Sequence, residues 1–323
     1  MRRKGIVVAV LALVVALATA GVADAAYGGF SPQHAHSPGV RHTNTAYWVI
    51  FAFTTAIFLI VTSTLVVFIV RFRARGRDRT DEGAQVHGNT RLELLWTVIP
   101  VVILAVIGTV VFLELPKITP PAKAATTLEI KVEGHQFYWQ FDYPDGSRTI
   151  NDLYVPVDRD VRLTVVSGDV IHSFWAPQLL GKIQAIPGRT NHTGFKAERV
   201  GTYLGACAEI CGPFHAKMDL RVIVTDAASY DATLHRHTTV AELGRQEFQG
   251  VCATCHGMQG QGGYGPALSS NSILAQKSSL ASIITTGRGL MPPVADTWTD
   301  EQIGALAQYV KSHVYKGAST SGG

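Results

Sequence analysis

The chain has 323 residues, 47% of them hydrophobic and only 16% charged, against about 25% charged in ordinary soluble domains. This balance excludes a disordered chain and argues against a wholly soluble enzyme. The net charge of +4 suggests an acidic or nucleic-acid partner until it is located: residues 1–116 hold 10 basic and 6 acidic side chains, residues 117–323 hold 18 of each.

The N-terminal excess has other work to do. Arg2, Arg3 and Lys4, the apolar run Ile6 to Leu17, and Ala23-Asp24-Ala25 read as a secretory signal peptide over residues 1–25, with a retained anchor as the alternative. Tyr47 to Val70 is almost continuously apolar and long enough to cross a bilayer, and Tyr47 and Trp48 suit its interface. A second span is expected from Leu94 to Leu113, where Pro100 is tolerable inside a membrane helix. Arg71, Arg73, Arg75, Arg77 and Arg79 follow the first span and mark the cytoplasmic side. The expectation is a two-helix transmembrane hairpin within 40–116, in a multi-pass protein of the bacterial inner membrane. Everything after Glu114 would face the periplasm or exterior.

Residues 117–123 break any helix and begin a linker. Alternating runs such as Leu128 to Val132, Val161 to Val165 and Leu220 to Val222, punctuated by Pro144-Asp-Gly and Ser167-Gly-Asp, predict an all-β sandwich or barrel over about 124–226. Residues 225–238 are small and polar and read as a second linker. The stretch 239–316 reads as all-α: Thr299-Asp-Glu-Gln302 is a capping box, and Ile303, Leu306, Val310 and Val314 form the buried stripe behind it. Gly317 to Gly323 is expected to be disordered.

Four cysteines fall in two tight pairs, and both carry histidine where metal chemistry wants it. Cys252-Ala-Thr-Cys255-His256 has the spacing of covalent haem c attachment, with Cys252 and Cys255 on the vinyl groups and His256 as proximal iron ligand. A redox dithiol would want no following histidine. For the other axial position, Met291 lies on the proline-stiffened Gly289-Leu-Met-Pro-Pro293 segment, and a thioether there raises the iron potential. Met258 is too close to the attachment site to reach the opposite face and is expected to pack. The first pair runs Cys207-Ala-Glu-Ile-Cys211-Gly-Pro-Phe-His215-Ala-Lys-Met218: two thiolates, an imidazole and a thioether within 12 residues, a set that selects copper. Two cysteines favour two copper ions bridged by sulfur, with His172 as the best source of a second imidazole. A Cys207–Cys211 disulfide would leave His215 and Met218 without a reason, and zinc would not explain Met218.

These motifs resemble subunit II of the haem–copper cytochrome c oxidases, in the caa-type form with a cytochrome c domain fused at its C-terminus. The likeness extends to His87-Gly-Asn89, Leu92-Glu93, Trp96 to Pro100, Gly134-His-Gln136 with Tyr138-Trp139, Ile171 to Trp175 and Ala185 to Arg189. It implies a cupredoxin-like copper A domain and a class I cytochrome c domain. The implied copper A ligands are His172, Cys207, Cys211, His215, Met218 and the main-chain carbonyl of Glu209. The Glu209 carboxylate would also help hold a magnesium ion shared with subunit I, and Glu93 matches the mouth of a proton pathway. Two positions depart from the family pattern: Phe137 stands where an electron-receiving tryptophan is usual, and Gln184 where aspartate is common.

The function implied is that of the electron-accepting subunit of a respiratory terminal oxidase. It would pass electrons from haem c to copper A and on to an oxygen-reducing subunit I, with subunit III as a further partner. The external donor would be a cytochrome c or a bc-type complex; membrane lipid is a partner and nucleic acid is not. Residues 117–239 hold 13 basic and 13 acidic side chains and residues 240–323 hold 5 of each, so charge steering is weak and a tethered donor fits. The same role in a nitric oxide reductase, or a copper-delivery protein, are the competing readings; the Cys252–His256 motif argues against the second.

Overall fold

The computed structural model describes residues 31–73, 85, 87–118 and 125–316. The expected signal peptide, most of the arginine segment, most of the 117–123 linker and the 317–323 tail lie outside the described residues.

Helix α1 (Pro38–Arg71) starts on a proline, whose fixed φ and missing N–H suit the first helical position. The buried Ser37 caps it by accepting from the Val40 amide at 3.3 Å. Helix α2 (Thr90–Glu114) is capped by Asn89, which accepts from the Leu92 amide at 3.2 Å. The central windows of both helices are apolar all round and not buried within the chain, and both helices are long enough to cross a membrane.

The β-domain is a sandwich of two five-stranded sheets. One sheet has the order β3-β2-β1-β5-β8, from Arg148–Ile150, Tyr138–Asp142, Leu128–His135, Asp160–Ser167 and Asn191–Lys196. The other has the order β4-β10-β9-β6-β7, from Asp152–Pro156, Asp219–Thr225, Gly201–Cys207, His172–Ala176 and Leu180–Ala185. Alternation supplies the core: Val161, Leu163 and Val165 of β5 point inward and are fully buried, with polar residues between them. Trp139 and Phe141 of β2 meet Phe174 of β6 edge-on across the two layers.

The polar stretch 225–238 is not a simple linker. Helix α3 (Tyr230–His237) forms within it and buries Tyr230 and Leu234 in the β-domain core. The i, i+4 pair of apolar residues is enough to fix one face of so short a helix, and its polar composition hides that.

The C-terminal domain is helical. Helix α4 (Val240–Glu247) is capped by Thr239 and runs through a π turn (Phe248–Cys252) into α5 (Ala253–His256); α6 (Lys277–Thr286) and α7 (Asp300–Tyr309) follow. Thr299 and Gln302 form the full capping box, and Ile303, Leu306, Val310 and Val314 are buried. Met258 does not pack as expected; it is exposed. Helices α4 and α7 cross so closely at Gly244 that a Cβ there would lie 2.2 Å from the Ala305 carbonyl oxygen. Alanine gains about 1 kcal/mol of helix propensity over glycine, but the clash with rigid backbone dominates. Gly244→Ala is expected to destabilise the helical domain by about 2 kcal/mol or more. Thermal unfolding of the detergent-solubilised chain measures this, and an unchanged midpoint would refute the crossing geometry.

The β-domain contributes to the core of its helical neighbour. Tyr138 and Ile150 of the sandwich are buried within the helical domain's apolar cluster. The Tyr138 hydroxyl accepts from Trp298 Nε1 at 2.9 Å and donates to the Val294 carbonyl at 3.1 Å. The Ile150 amide donates to Gln246 Oε1 at 3.0 Å, and Arg148 donates to Gln302 Oε1.

Candidate metal centres

The first site forms where three segments meet at one end of the sandwich: the start of β6, the end of β9 and the loop into β10. His172 is fully buried, and its Nδ1 lies 3.9 Å from Cys207 Sγ. Cys207 Sγ is 3.9 Å from Cys211 Sγ and 3.3 Å from the Glu209 carbonyl oxygen. Cys211 Sγ is 3.6 Å from His215 Nδ1 and 3.8 Å from Met218 Sδ. All six groups named from the sequence therefore converge on one cluster, and both Cys207 and Cys211 are free thiols. One hard carbonyl oxygen among two thiols, two imidazoles and a thioether is a soft donor set that suits copper.

Glycine makes the closeness possible. A Cβ on Gly134 of β1 would meet the His172 ring at 3.0 Å and Trp139 at 3.1 Å. Gly212, directly after Cys211, has φ +139°, a conformation that favours glycine, and a Cβ there would press on Gln136 and Phe137. Gln136 holds the loop by donating from Nε2 to the Cys211 carbonyl.

Sequence reasoning missed Asp169. Its carboxylate binds His172 Nε2 at 2.7 Å and accepts from the Gln136 amide at 2.6 Å. The i, i+3 spacing from Asp169 to His172 across the Ser167-Gly-Asp turn was the available signal. With Asp169 on Nε2, Nδ1 faces the sulfurs, the outer-sphere arrangement that orients a metal-binding imidazole. Burial disfavours the charged imidazole, but Asp169 outweighs it and raises the His172 pKa; burial likewise opposes the Asp169 carboxylate, which His172 holds below its usual range. Burial also opposes a thiolate at Cys207, yet the neighbouring His172 brings that thiol down to about 7. Cys211 is pushed up by burial and by the Cys207 charge. A metal that takes both sulfurs as thiolates displaces the proton held on Cys211.

The second site is the attachment helix α5. His256 Nδ1 donates to the Pro266 carbonyl at 2.8 Å, which leaves Nε2 free for a metal. Gly265 abuts the His256 ring, where a Cβ would sit 2.7 Å from it. Cys252 and Cys255 are partly buried on the same turn. Met291 is partly buried against the helical core, and its backbone is fixed by a reciprocal pair with Arg288, at 2.9 and 3.1 Å. A free Nε2, two thiols on one helical turn and a constrained thioether fit a covalent haem c.

Glu93 stands apart from both sites. Its Oε1 accepts from the Asn89 amide at 3.1 Å and completes the cap of α2. Phe137 packs edge-on against Phe214 at a centroid distance of 5.4 Å, and the carbonyl of Gln184 accepts from Asn191 Nδ2 at 2.7 Å.

Two apolar helices, a cupredoxin-like sandwich with a soft donor cluster and a helical domain with a haem c motif define a membrane-anchored electron-transfer protein. Three family descriptions match the chain: cytochrome c oxidase subunit II, transmembrane domain, at residues 25–113; its periplasmic domain at 148–226; and cytochrome c oxidase, cbb3-type, subunit III, at 239–310. Cytochrome c oxidase subunit 2 of Alkalihalophilus pseudofirmus is 38% identical over 242 residues, covering 69% of this chain and 71% of that one. The protein of the same name from Thermostichus vulcanus is 32% identical, over 58% of this chain and 72% of its own. The periplasmic domain of subunit II of cytochrome oxidase from Bradyrhizobium japonicum is 35% identical, with a TM-score of 0.34, over 36% of this chain and 94% of that one. The chain belongs to the cytochrome c oxidase subunit II family, in a form that carries a cytochrome c domain after the copper domain. Copper and haem c are the cofactors those domains imply.

Proposed function

We propose that this chain receives electrons on its cytochrome c domain (239–316) and hands them, through a binuclear copper A site in the 124–226 domain, to an oxygen-reducing subunit I. The observation that carries this reading is the convergence of His172, Cys207, Cys211, His215, Met218 and the Glu209 carbonyl, with Asp169 holding the buried imidazole. When bound, the two cofactors supply one-electron chemistry at soft, weakly hydrated centres. The chain's own residues would do the rest: Cys207 and Cys211 would hold copper through their sulfurs, and the burial of His172, Cys207, Cys211 and Met218 would keep water from the site. Cys252 and Cys255 would anchor the haem, and His256 and Met291 would hold its iron.

The chain crosses the bacterial inner membrane twice, through spans near 47–70 and 94–113, with both redox domains on the periplasmic side and the 1–25 leader directing export. The Glu209 carboxylate shares a magnesium ion with subunit I, and Glu93 stands at the mouth of a proton pathway beside its capping role. Subunit III completes the complex, and a cytochrome c or bc-type complex is the external donor.

The test is purification from membranes with co-migrating subunits, followed by pyridine haemochrome assay, electron resonance and oxygen uptake with reduced cytochrome c. Covalent haem, the multiline signature of a mixed-valence copper pair and oxygen uptake are expected. Met291→Ala is expected to lower the haem potential and leave the copper signal intact. Lack of covalent haem, or a mononuclear copper pattern, would overturn the assignment.

A further inference from the structure

The copper loop and the haem-binding turn face each other through a pair of rings that neither motif includes. Phe214 lies between Cys211 and His215, and the ring of Tyr264, on the loop after the haem motif, meets it edge-on at a centroid distance of 5.1 Å. The Tyr264 loop is fastened to the attachment helix: the Gly262 amide donates to the His256 carbonyl at 2.8 Å, and the Gly265 amide to the Cys255 carbonyl at 2.7 Å. On the other side, Phe214 is bonded directly to His215, whose Nδ1 is 3.6 Å from Cys211 Sγ. Lys217 of the same loop lies with its ammonium 5.7 Å from the Phe214 ring centroid.

We propose that the Phe214–Tyr264 ring contact is the place where electrons cross between the cytochrome c domain and the copper loop. This rests on the proposed function above. Each crossing oxidises the haem iron from ferrous to ferric and reduces the copper centre by one electron, with no bond made or broken and no proton required. Tunnelling falls steeply across every gap between non-bonded atoms, so a packed ring pair bonded at both ends into the metal-holding segments is a favourable bridge. Elsewhere the interface runs through Tyr138, which bonds Val294 and Trp298, and Ile150, which bonds Gln246 of α4; none of these bonds is to the copper loop. Those contacts hold the docking; the ring pair closes the remaining gap. Tyr264 is 70% exposed and carries little of either core, so replacing it need not unfold the chain.

The experiment compares the full chain, loaded with haem and copper, as wild type, Tyr264→Ala and Tyr264→Phe. An electron is injected photochemically into the haem, and its transfer to copper is followed by transient absorbance. Removing the Tyr264 ring opens the packed bridge between the two loops, so Tyr264→Ala is expected to slow transfer by about tenfold or more. Tyr264→Phe, which keeps the ring, is expected to restore the rate. Midpoint potentials and the copper electron resonance signal should stay unchanged. Amide exchange at Ile150, measured on the same loaded chains, reads whether the domains remain docked. An unchanged rate in Tyr264→Ala overturns the proposal, and so does a slow rate accompanied by lost Ile150 protection, because undocking alone would then explain it. Failure of transfer in the wild-type chain would overturn the proposed function instead.

Discussion

Cys211→Ser is expected to abolish the proposed binuclear copper site while leaving the haem attached and the sandwich folded. Cys211 Sγ is the hub of the donor cluster, within 3.9 Å of Cys207 Sγ, His215 Nδ1 and Met218 Sδ. Serine matches its size, so the cavity cost is small. Its hydroxyl, however, does not ionise at working pH and is a hard donor that bridges two soft ions poorly. Loss of an outer-sphere partner typically costs about 10–100-fold in metal affinity, and loss of a bridging ligand should cost more than about 100-fold. Metal analysis should fall from two copper ions per chain to one or none, with electron flow to oxygen falling by a similar factor. A variant that keeps two coppers and the mixed-valence signal would rule out Cys211 as a bridge.

Glu247→Gln is expected to remove a decline in stability of the helical domain that runs from about pH 5 to pH 8. Glu247 ends α4 with its side chain fully buried, and neither carboxylate oxygen makes a well-formed hydrogen bond. Burial pushes its carboxyl up to about 9; the neighbouring Gln302 side chain and the Arg148 charge offset only part of this, while Glu301 adds to it. Because the folded pKa lies above the unfolded value of 4.5, the folded chain keeps a proton that the unfolded chain releases. Stability from this group is therefore intact below pH 4.5 and is lost as pH climbs towards 9, by about 1.4 kcal/mol per unit within that window. Glutamine cannot ionise, so the gap between variant and parent should widen from pH 5 to 8 at about that slope. Denaturant unfolding across that range is the measurement; parallel curves for the two chains would show that Glu247 is not the titrating group.

The candidate metal-binding groups were legible because the chemistry is concentrated along the chain. Five of the six proposed copper-binding groups fall between Cys207 and Met218, and the proposed haem attachment occupies Cys252 to His256. His172 was reachable because a second imidazole was needed from elsewhere in the β-domain and it follows a predicted strand and turn. The polar stretch 225–238 misled because Tyr230 and Leu234 are too sparse to register as periodic, although two buried side chains suffice to dock two turns of helix. Asp169 was hidden for a different reason. An aspartate in a Ser-Gly-Asp turn already has an ordinary explanation, and only the folded loop reveals that its carboxylate reaches back to a histidine. The contact between the domains left no trace at all, since Tyr138 reads as one more aromatic in a β-strand.

That tyrosine alters the meaning of the fusion. A tether would raise the encounter frequency of a partner that could otherwise be exchanged or lost. Tyr138 instead supplies a side chain to the interior of the following domain, and Gln246 of that domain satisfies the Ile150 amide of the sandwich. Deleting the C-terminal quarter would bare an aromatic ring, an isoleucine and an unpaired strand amide on the sandwich, and would open a hole in the excised piece. The two domains thereby behave as one folding unit at this joint: removing the cytochrome c domain would leave the β-strand residues that fill the shared core without partners.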